Sequence, residues 1–360
     1  MNNIVFDETL NNSCLIVLNL LVFLNIKSAV YNKRGLYTNY WVLWFFITAF
    51  SLYYRPLGGD FWYSFPEFKY RLVMYKEHME PFYVWLKETV DFDYLLWRFI
   101  VWGSAGGFVC LLFKKLKIQP GIGSIAFLVF ALLDSFYYMR NALGFGILYW
   151  GVSLFLANRS QSYLKRLILL LLVSGISYFF HRSMPLYILF SYIALFIPFN
   201  QKRLCYLVFL FPLLYLAVSS LATSLLAMDV WADDGGSYYM EQENTYSANW
   251  KGIVSLLIGY APFIYISYYY IKNDFNSTDS ESYARRTFFL IFFFLYYLSF
   301  LFTGQASKNL AMRFGDSSMY PFAIFIALYF KRYAPSKICL YFALIMAFSV
   351  LWYFLFTNVN

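Results

Sequence analysis

Polar positions in this chain fall between long apolar runs. The runs recur at about 17–22 residues, the length that crosses the roughly 30 Å hydrocarbon layer of a bilayer. They predict helices over 13–31, 37–54, 94–113, 119–134, 141–157, 166–180, 184–199, 204–227, 252–271, 287–303, 317–331 and 337–356. The expected fold class is an all-α integral membrane protein, a single bundle of about twelve transmembrane helices filling residues 1–360 as one domain. The fourth and fifth runs are short and are joined by Asp134 to Arg140, so a break or tilt is expected there.

Composition agrees with the pattern. The 360 residues are 61% hydrophobic and only 13% charged, where a soluble domain carries about 25% charged residues. The 24% aromatic content exceeds what a water-exposed surface allows a core to absorb. The four cysteines, Cys14, Cys110, Cys205 and Cys339, stand far apart and mostly inside apolar runs. They form neither a disulfide framework nor a CxxC pair and read as small apolar residues. The first apolar run follows an acidic stretch rather than a basic one, with no small-residue cleavage site after it, so no cleavable signal peptide is expected.

The net charge of +9 is not one basic patch, which argues against nucleic acid. Alternate loops sort by sign. One set carries Lys27, Lys33, Arg34, Lys114, Lys115, Lys117, Arg159, Lys165, Arg166, Lys202, Arg203, Lys272, Arg285, Arg286, Lys331, Arg332 and Lys337, which is 17 of the 28 basic residues. That set has only three acids, Asp274, Asp279 and Glu281, leaving it net +14. The opposite set holds the other 11 basic residues and 16 acids, net −5, and the two sums return +9. The positive-inside rule makes the first set cytoplasmic and puts both termini outside. Two long loops, about 55–93 and 228–251, then face outward. In the first, Phe61, Trp62, Phe65 and Phe68 suit a membrane surface. Long loops in compact proteins tend to be lids or binding loops, so function is expected on the outer side.

Ionisable residues gather at the outer ends of the predicted helices: Asp60, Glu80, Arg98, Asp134, Arg140, His181, Arg182, Arg313 and Asp316. Charge beside hydrocarbon is costly and either pairs or lines a polar cavity. For any single member, interfacial snorkelling is the plain alternative. Gly58-Gly59-Asp60 offers a tight turn beside an acid. Glu80-Pro81 reads as a helix start, where the carboxylate either caps the helix or serves a site. Arg140 opens an apolar helix, and a guanidinium fork there suits phosphate. His181, in Tyr178-Phe-Phe-His-Arg-Ser183, is one of two histidines in the chain. It can accept a hydroxyl proton near neutral pH, or serve as a structural histidine. The other, His78, reads as solvated. Arg313 and Asp316 precede the eleventh predicted helix. There is no HExxH, no DxD, no Cys/His cluster and no Walker loop, so no metal or other cofactor is expected.

Arginines, a histidine and carboxylates on one outer face fit a lipid-diphosphate substrate. The arginines would stabilise the charge that develops as diphosphate leaves. A carboxylate or His181 would take the proton of an attacking hydroxyl.

The series Arg55-Pro-Leu-Gly-Gly-Asp-Phe-Trp62, Met79-Glu-Pro-Phe-Tyr-Val-Trp-Leu86, Tyr137-Tyr-Met-Arg-Asn-Ala-Leu-Gly-Phe-Gly-Ile147 and Phe179-Phe-His-Arg-Ser-Met-Pro-Leu-Tyr-Ile-Leu189 resembles the EpsG family in order and spacing. That family is similar to the Wzy-type polymerases of O-antigen and exopolysaccharide, and the resemblance spans roughly residues 30–330. It implies a GT-C-like membrane glycosyltransferase. Such an enzyme polymerises oligosaccharide repeat units carried on undecaprenyl diphosphate, at the outer face of the bacterial cytoplasmic membrane. Carried over, the acidic loop motif falls on Gly59 and Asp60, the glutamate-proline motif on Glu80 and Pro81, the arginine on Arg140, and the histidine-serine motif on His181 and Ser183. The family pattern often has a small residue after the serine, whereas Met184-Pro185 follow here. The expected roles are His181 as first candidate base with Asp60 or Glu80 second, and Arg140, Arg182 and Arg313 on the diphosphate. Gly59, Ser183 and Asp316 would contact sugar. Arg182 and Arg313 enter from charge placement rather than from the motif. The expected partners are the lipid-linked oligosaccharide, membrane lipid, a flippase and a chain-length regulator, with no nucleic acid. An O-antigen ligase, an acyltransferase and a lipid-linked glycan flippase stand as alternatives. Sparse mid-helix charge speaks against the flippase, and the lack of a His or acid pair on the inner face speaks against the acyltransferase.

Overall fold

The computed structural model describes residues 13–14, 16–18, 20–21, 40–53, 80–89, 94–132, 139–158, 160–181, 183–209, 263, 265–279, 281–302 and 308–333. Among them the regular structure is all α-helix, with no strand. The helices are α1 (Tyr40–Tyr53), α2 (Pro81–Thr89), α3 (Tyr94–Lys115), α4 (Pro120–Phe130), α5 (Met139–Ala157), α6 (Tyr163–Tyr178), α7 (Met184–Phe196), α8 (Gln201–Phe209), α9 (Ser282–Phe302) and α10 (Lys308–Tyr333). Residues 265–273 are helical as well.

Among the described residues no helix is long and apolar enough to cross a membrane; the expected spans 13–31, 204–227, 252–271 and 337–356 lie wholly or largely outside those residues. The shorter helices hold 9–16 residues, at most about 24 Å at 1.5 Å per residue. Two of the longer ones are interrupted by charge: α9 carries Arg285 and Arg286 near its start, and α10 carries Arg313, Asp316, Lys331 and Arg332. Helix α10 also begins nine residues before the expected 317. Lys308-Asn-Leu-Ala-Met is rich in good helix formers, and two nearby charges do not stop a helix. Arg313 and Asp316 therefore lie within a helix, not in a loop before it.

Contacts group the chain into two compact units, Met1–Ile188 with Met319–Asn360, and Leu189–Ser318. In the first, α3 packs on α1 and on α5, and α5 packs on α6. Small residues permit these approaches. A Cβ on Gly106 would stand 3.2 Å from Ile47 of α1. On Gly151 of α5 it would stand 2.6 Å from Val173 of α6. Trp44 Nε1 spans the α1–α3 contact, donating to the Gly103 carbonyl at 2.7 Å.

Helix α3 stops in a tight turn. Ile118 N–H donates to the Phe113 carbonyl at 2.9 Å and Lys117 N–H to the Lys114 carbonyl at 3.1 Å, the Schellman pattern. Lys117 takes the left-handed position at φ 53°. Pro120 then opens α4 at a helix start, where its missing N–H is no loss. The Tyr40 hydroxyl at the start of α1 donates to the Ile118 carbonyl. Lys331 Nζ near the end of α10 donates to the Leu116 carbonyl at 3.2 Å. One end of this unit therefore collects Lys114, Lys115, Lys117 and Lys331, basic residues that the sequence assigns to a single face. Arg166 joins α5 to α6 there, donating to the Phe155 carbonyl at 3.0 Å with its guanidinium over the Phe155 ring.

In the second unit, Tyr270, Phe275 and Phe289 pack ring to ring, with Tyr270 and Phe289 centroids 4.7 Å apart. Asp279 organises the turn before α9. Its carboxylate accepts from Ser277 Oγ at 2.6 Å, from Glu281 N–H at 3.0 Å and from the buried guanidinium of Arg285.

Candidate functional site

The site is built in the first unit, where the start of α2 meets the turn between α6 and α7. Glu80 stands at the head of α2. Its carbonyl accepts from Tyr83 N–H at 3.0 Å and Val84 N–H at 3.3 Å, and Pro81 follows as the first helical residue. The backbone of Glu80 thus starts the helix while its side chain serves another purpose. Its carboxylate oxygen Oε1 lies 3.8 Å from Nε2 of His181. Both residues are buried, at 1% and 4% exposure.

His181 is held by the way α6 ends and α7 begins. Phe179 and Phe180 close α6 with N–H bonds to the Ile176 and Ser177 carbonyls, and the His181 carbonyl accepts from Met184 N–H at 3.1 Å to open α7. Pro185 falls in the first turn of α7, where proline is tolerated, so Met184-Pro185 shapes the turn without breaking it. The ring folds back over its own turn. Nδ1 of His181 receives Ser183 N–H at 3.1 Å and lies 2.6 Å from Ser183 Oγ. A ring contact clamps the two segments together, since Phe82 beside Glu80 and Phe180 beside His181 have centroids 4.5 Å apart.

Arg140 is the second residue of α5. Met184 sits against Gly144, where an added Cβ would be 2.9 Å from its sulfur. Arg140 is one helical turn before Gly144 and His181 is three residues before Met184. The backbone of Arg140 therefore belongs to the same end of the unit as the Glu80–His181 pair. Arg98 joins them. Helices α3 and α5 meet where Phe108 packs on Trp150 at 5.4 Å and where Ala105 and Phe108 face Gly146. Following that register toward both N-termini brings the fully buried Arg98 to the level of residues 139–140. The sequence shows Arg98 as an outer charge, but only the α3–α5 register ties it to this end.

Glu80, His181 and Ser183 are thus brought together by their side chains, and Arg140 by its place on α5. Arg313 and Asp316 lie on α10 in the second unit. Gly59, Asp60 and Arg182 lie outside the described residues, as do the loop aromatics Phe61, Trp62, Phe65 and Phe68; of the two expected long loops only residues 80–89 are described, and they form Glu80 and helix α2 rather than open loop. Among the described residues no three His, Cys, Asp or Glu side chains converge as a metal site would require.

The arrangement defines proton chemistry. An N–H group only donates, so Nδ1 of His181 presents its lone pair to Ser183, and the neutral ring carries its proton on Nε2, toward Glu80. A proton gained at Nδ1 makes an imidazolium beside a buried carboxylate. A buried histidine–glutamate pair next to a hydroxyl, at the end of the unit that also carries two arginines, is suited to deprotonating an alcohol near an anionic leaving group.

No curated protein and no solved structure matches the chain. The EpsG family matches residues 38–360, from just before α1 through the last residue and so across every element of this site. On that match the chain belongs to the EpsG family.

Proposed function

We propose that this protein is a membrane glycosyltransferase that joins undecaprenyl-diphosphate-linked oligosaccharide repeat units into a polysaccharide at the outer face of the bacterial cytoplasmic membrane. Family membership points to polysaccharide polymerase-type function in general terms. The observation that carries the finer reading is the buried Glu80–His181 pair, set at the same end as Arg140 and Arg98. The growing chain on its lipid diphosphate is the donor, and a hydroxyl of one further lipid-linked unit is the acceptor. The acceptor oxygen bonds to the anomeric carbon while the bond from that carbon to the diphosphate oxygen breaks, its electron pair leaving on the diphosphate. The hydroxyl proton passes to the His181 centre, and Glu80 stabilises the resulting cation. Arg140 and Arg182 hold the diphosphate and offset its growing charge. Asp60 and Gly59 contact the sugars.

One feature supports placement in a bilayer. Helix α6 buries Ser174 and Ser177 while exposing Leu164 (64%), Leu172 (61%), Ile168, Leu171 and Ile176. A face of exposed leucine and isoleucine is not that of a helix facing water, and five such side chains, each about half exposed, forgo roughly 5 kcal/mol of burial.

The test is the glycan size profile of cells lacking the protein. The expected result is collapse of the ladder to a single repeat unit, restored by wild type but not by Arg140→Ala or His181→Ala. An unchanged ladder would sink the polymerase reading.

A further inference from the structure

We propose that Ser183 is a catalytic residue: it takes the proton of the attacking hydroxyl and passes its own to His181, so that the histidine acts as base only through the serine. The inference rests on the polymerase reading above and deepens it. The ring has one lone pair in its neutral form, and Ser183 N–H fixes it at Nδ1, 3.1 Å away. The other nitrogen, Nε2, carries the proton and faces Glu80 at 3.8 Å. The only basic atom of His181 is therefore covered by Ser183 Oγ at 2.6 Å, the separation of a strong O–H donor and its acceptor. A substrate hydroxyl approaching that lone pair meets the serine first. Access points the same way, because His181 and Glu80 are buried while Ser183 is half-buried.

The order of groups, hydroxyl to imidazole to carboxylate, has the logic of a serine–histidine–acid triad with the two ring nitrogens exchanged. Here the serine is not the nucleophile. In the step, the acceptor O–H proton moves to Ser183 Oγ and the serine's own proton moves to His181 Nδ1. The acceptor oxygen forms its bond to the anomeric carbon, and the diphosphate departs with the electron pair of the broken bond. Ser183 ends as a neutral hydroxyl. His181 ends as an imidazolium beside Glu80 and later releases its proton to water. The short connection from His181 to Ser183 keeps the relay at fixed length, because the same turn that opens α7 sets both residues.

The experiment uses the purified full chain with lipid-diphosphate-linked repeat units, comparing wild type, Ser183→Ala and Ser183→Thr. Steady-state rates are read in mixtures of light and heavy water, and ¹⁵N-histidine spectra are recorded for each protein. With only two histidines in the chain, His181→Ala assigns the signals. The expected kinetic result is a fall in kcat of about 10²–10³-fold for Ser183→Ala, with KM within about 3-fold of wild type by the same reasoning that a proton relay acts in the transition state. Ser183→Thr, which keeps the hydroxyl, recovers most of the rate. The rate of wild type curves with heavy-water fraction, as two moving protons require, and that of Ser183→Ala is linear. The expected spectrum shows His181 protonated on Nε2, with Nδ1 shifting in Ser183→Ala. Ser183→Ala at near-wild-type kcat, or a threonine variant no better than alanine, would overturn the relay. If wild type joins no repeat units, the polymerase reading fails on its own, and the spectrum then judges the hydrogen-bonded unit: a proton on Nδ1 overturns it, and one on Nε2 that responds to Ser183→Ala upholds it.

Discussion

Replacing Glu80 by glutamine changes almost nothing but charge. Glutamine has nearly the same volume, so Pro81 still opens α2, the Glu80 carbonyl bonds to Tyr83 and Val84 are backbone bonds, and the Phe82–Phe180 contact is untouched. What is lost is a carboxylate 3.8 Å from Nε2 of His181. Two unit charges near 4 Å attract by about 4 kcal/mol at an effective dielectric constant of about 20. That attraction exists only once the imidazole is cationic, which happens as the acceptor hydroxyl gives up its proton. Glu80→Gln therefore removes an interaction made in the transition state and not before it. At 1.36 kcal/mol per decade, about 4 kcal/mol corresponds to a rate loss near 10³-fold, falling on kcat with KM little changed. The assay is chain growth from purified lipid-linked repeat units, followed as ladder length against time. Thermal unfolding in detergent accompanies it to show that the variant still folds. A folded Glu80→Gln protein within about 3-fold of wild type would mean that no cation forms at His181, and the proton chemistry assigned to this pair would be wrong.

Other variants probe the frame around the site. Gly151→Val puts a Cβ 2.6 Å from Val173 and is expected to destabilise by about 1–3 kcal/mol through overpacking, read as a lower unfolding temperature. Gly175 on the same helix pair has open space around an added Cβ, so Gly175→Ala is expected to stabilise by about 0.5–1 kcal/mol on helix propensity alone. Equal effects of the two changes would contradict the α5–α6 packing. Lys117→Gly relieves the left-handed residue that ends α3 and is expected to gain about 1 kcal/mol in the same measurement. In a background without native cysteines, a cysteine at Leu172 is expected to resist water-soluble maleimide, because a thiol facing lipid is neither reached by the reagent nor ionised. Rapid reaction of position 172 with the water-soluble reagent would contradict the lipid-facing reading of α6.

The sequence made some of this legible through strong local rules. Glu80-Pro81 announces a helix start because proline needs no N–H partner there, and α2 begins at Pro81. The sorting of lysines reappears in three dimensions where Lys331 reaches the α3–α4 turn carrying Lys114, Lys115 and Lys117. His181 and Ser183 stand out as a motif, and the structure joins them. Their relationship was not readable, because it depends on a ring folding back two residues onto its own backbone, which apolar periodicity does not encode. The early start of α10 was hidden because Arg313 and Asp316 look like loop punctuation in a hydropathy profile, although isolated charges interrupt no helical hydrogen bonds. The place of Arg98 depends on how α3 and α5 slide against each other. That register is marked by Gly146, where an added Cβ would meet Phe108 and Ala105 of α3, a residue that announces itself only once its neighbours are known.

The most direct test of the central claim is reconstitution of the purified protein in vesicles with one defined repeat unit on undecaprenyl diphosphate, counting glycosidic bonds formed against lipid diphosphate released. The account predicts a ladder of products, one diphosphate released per bond, and loss of both in His181→Ala and Arg140→Ala. Transfer of the repeat unit to a different acceptor with no ladder, or its movement across the bilayer with no bond formed, would contradict it.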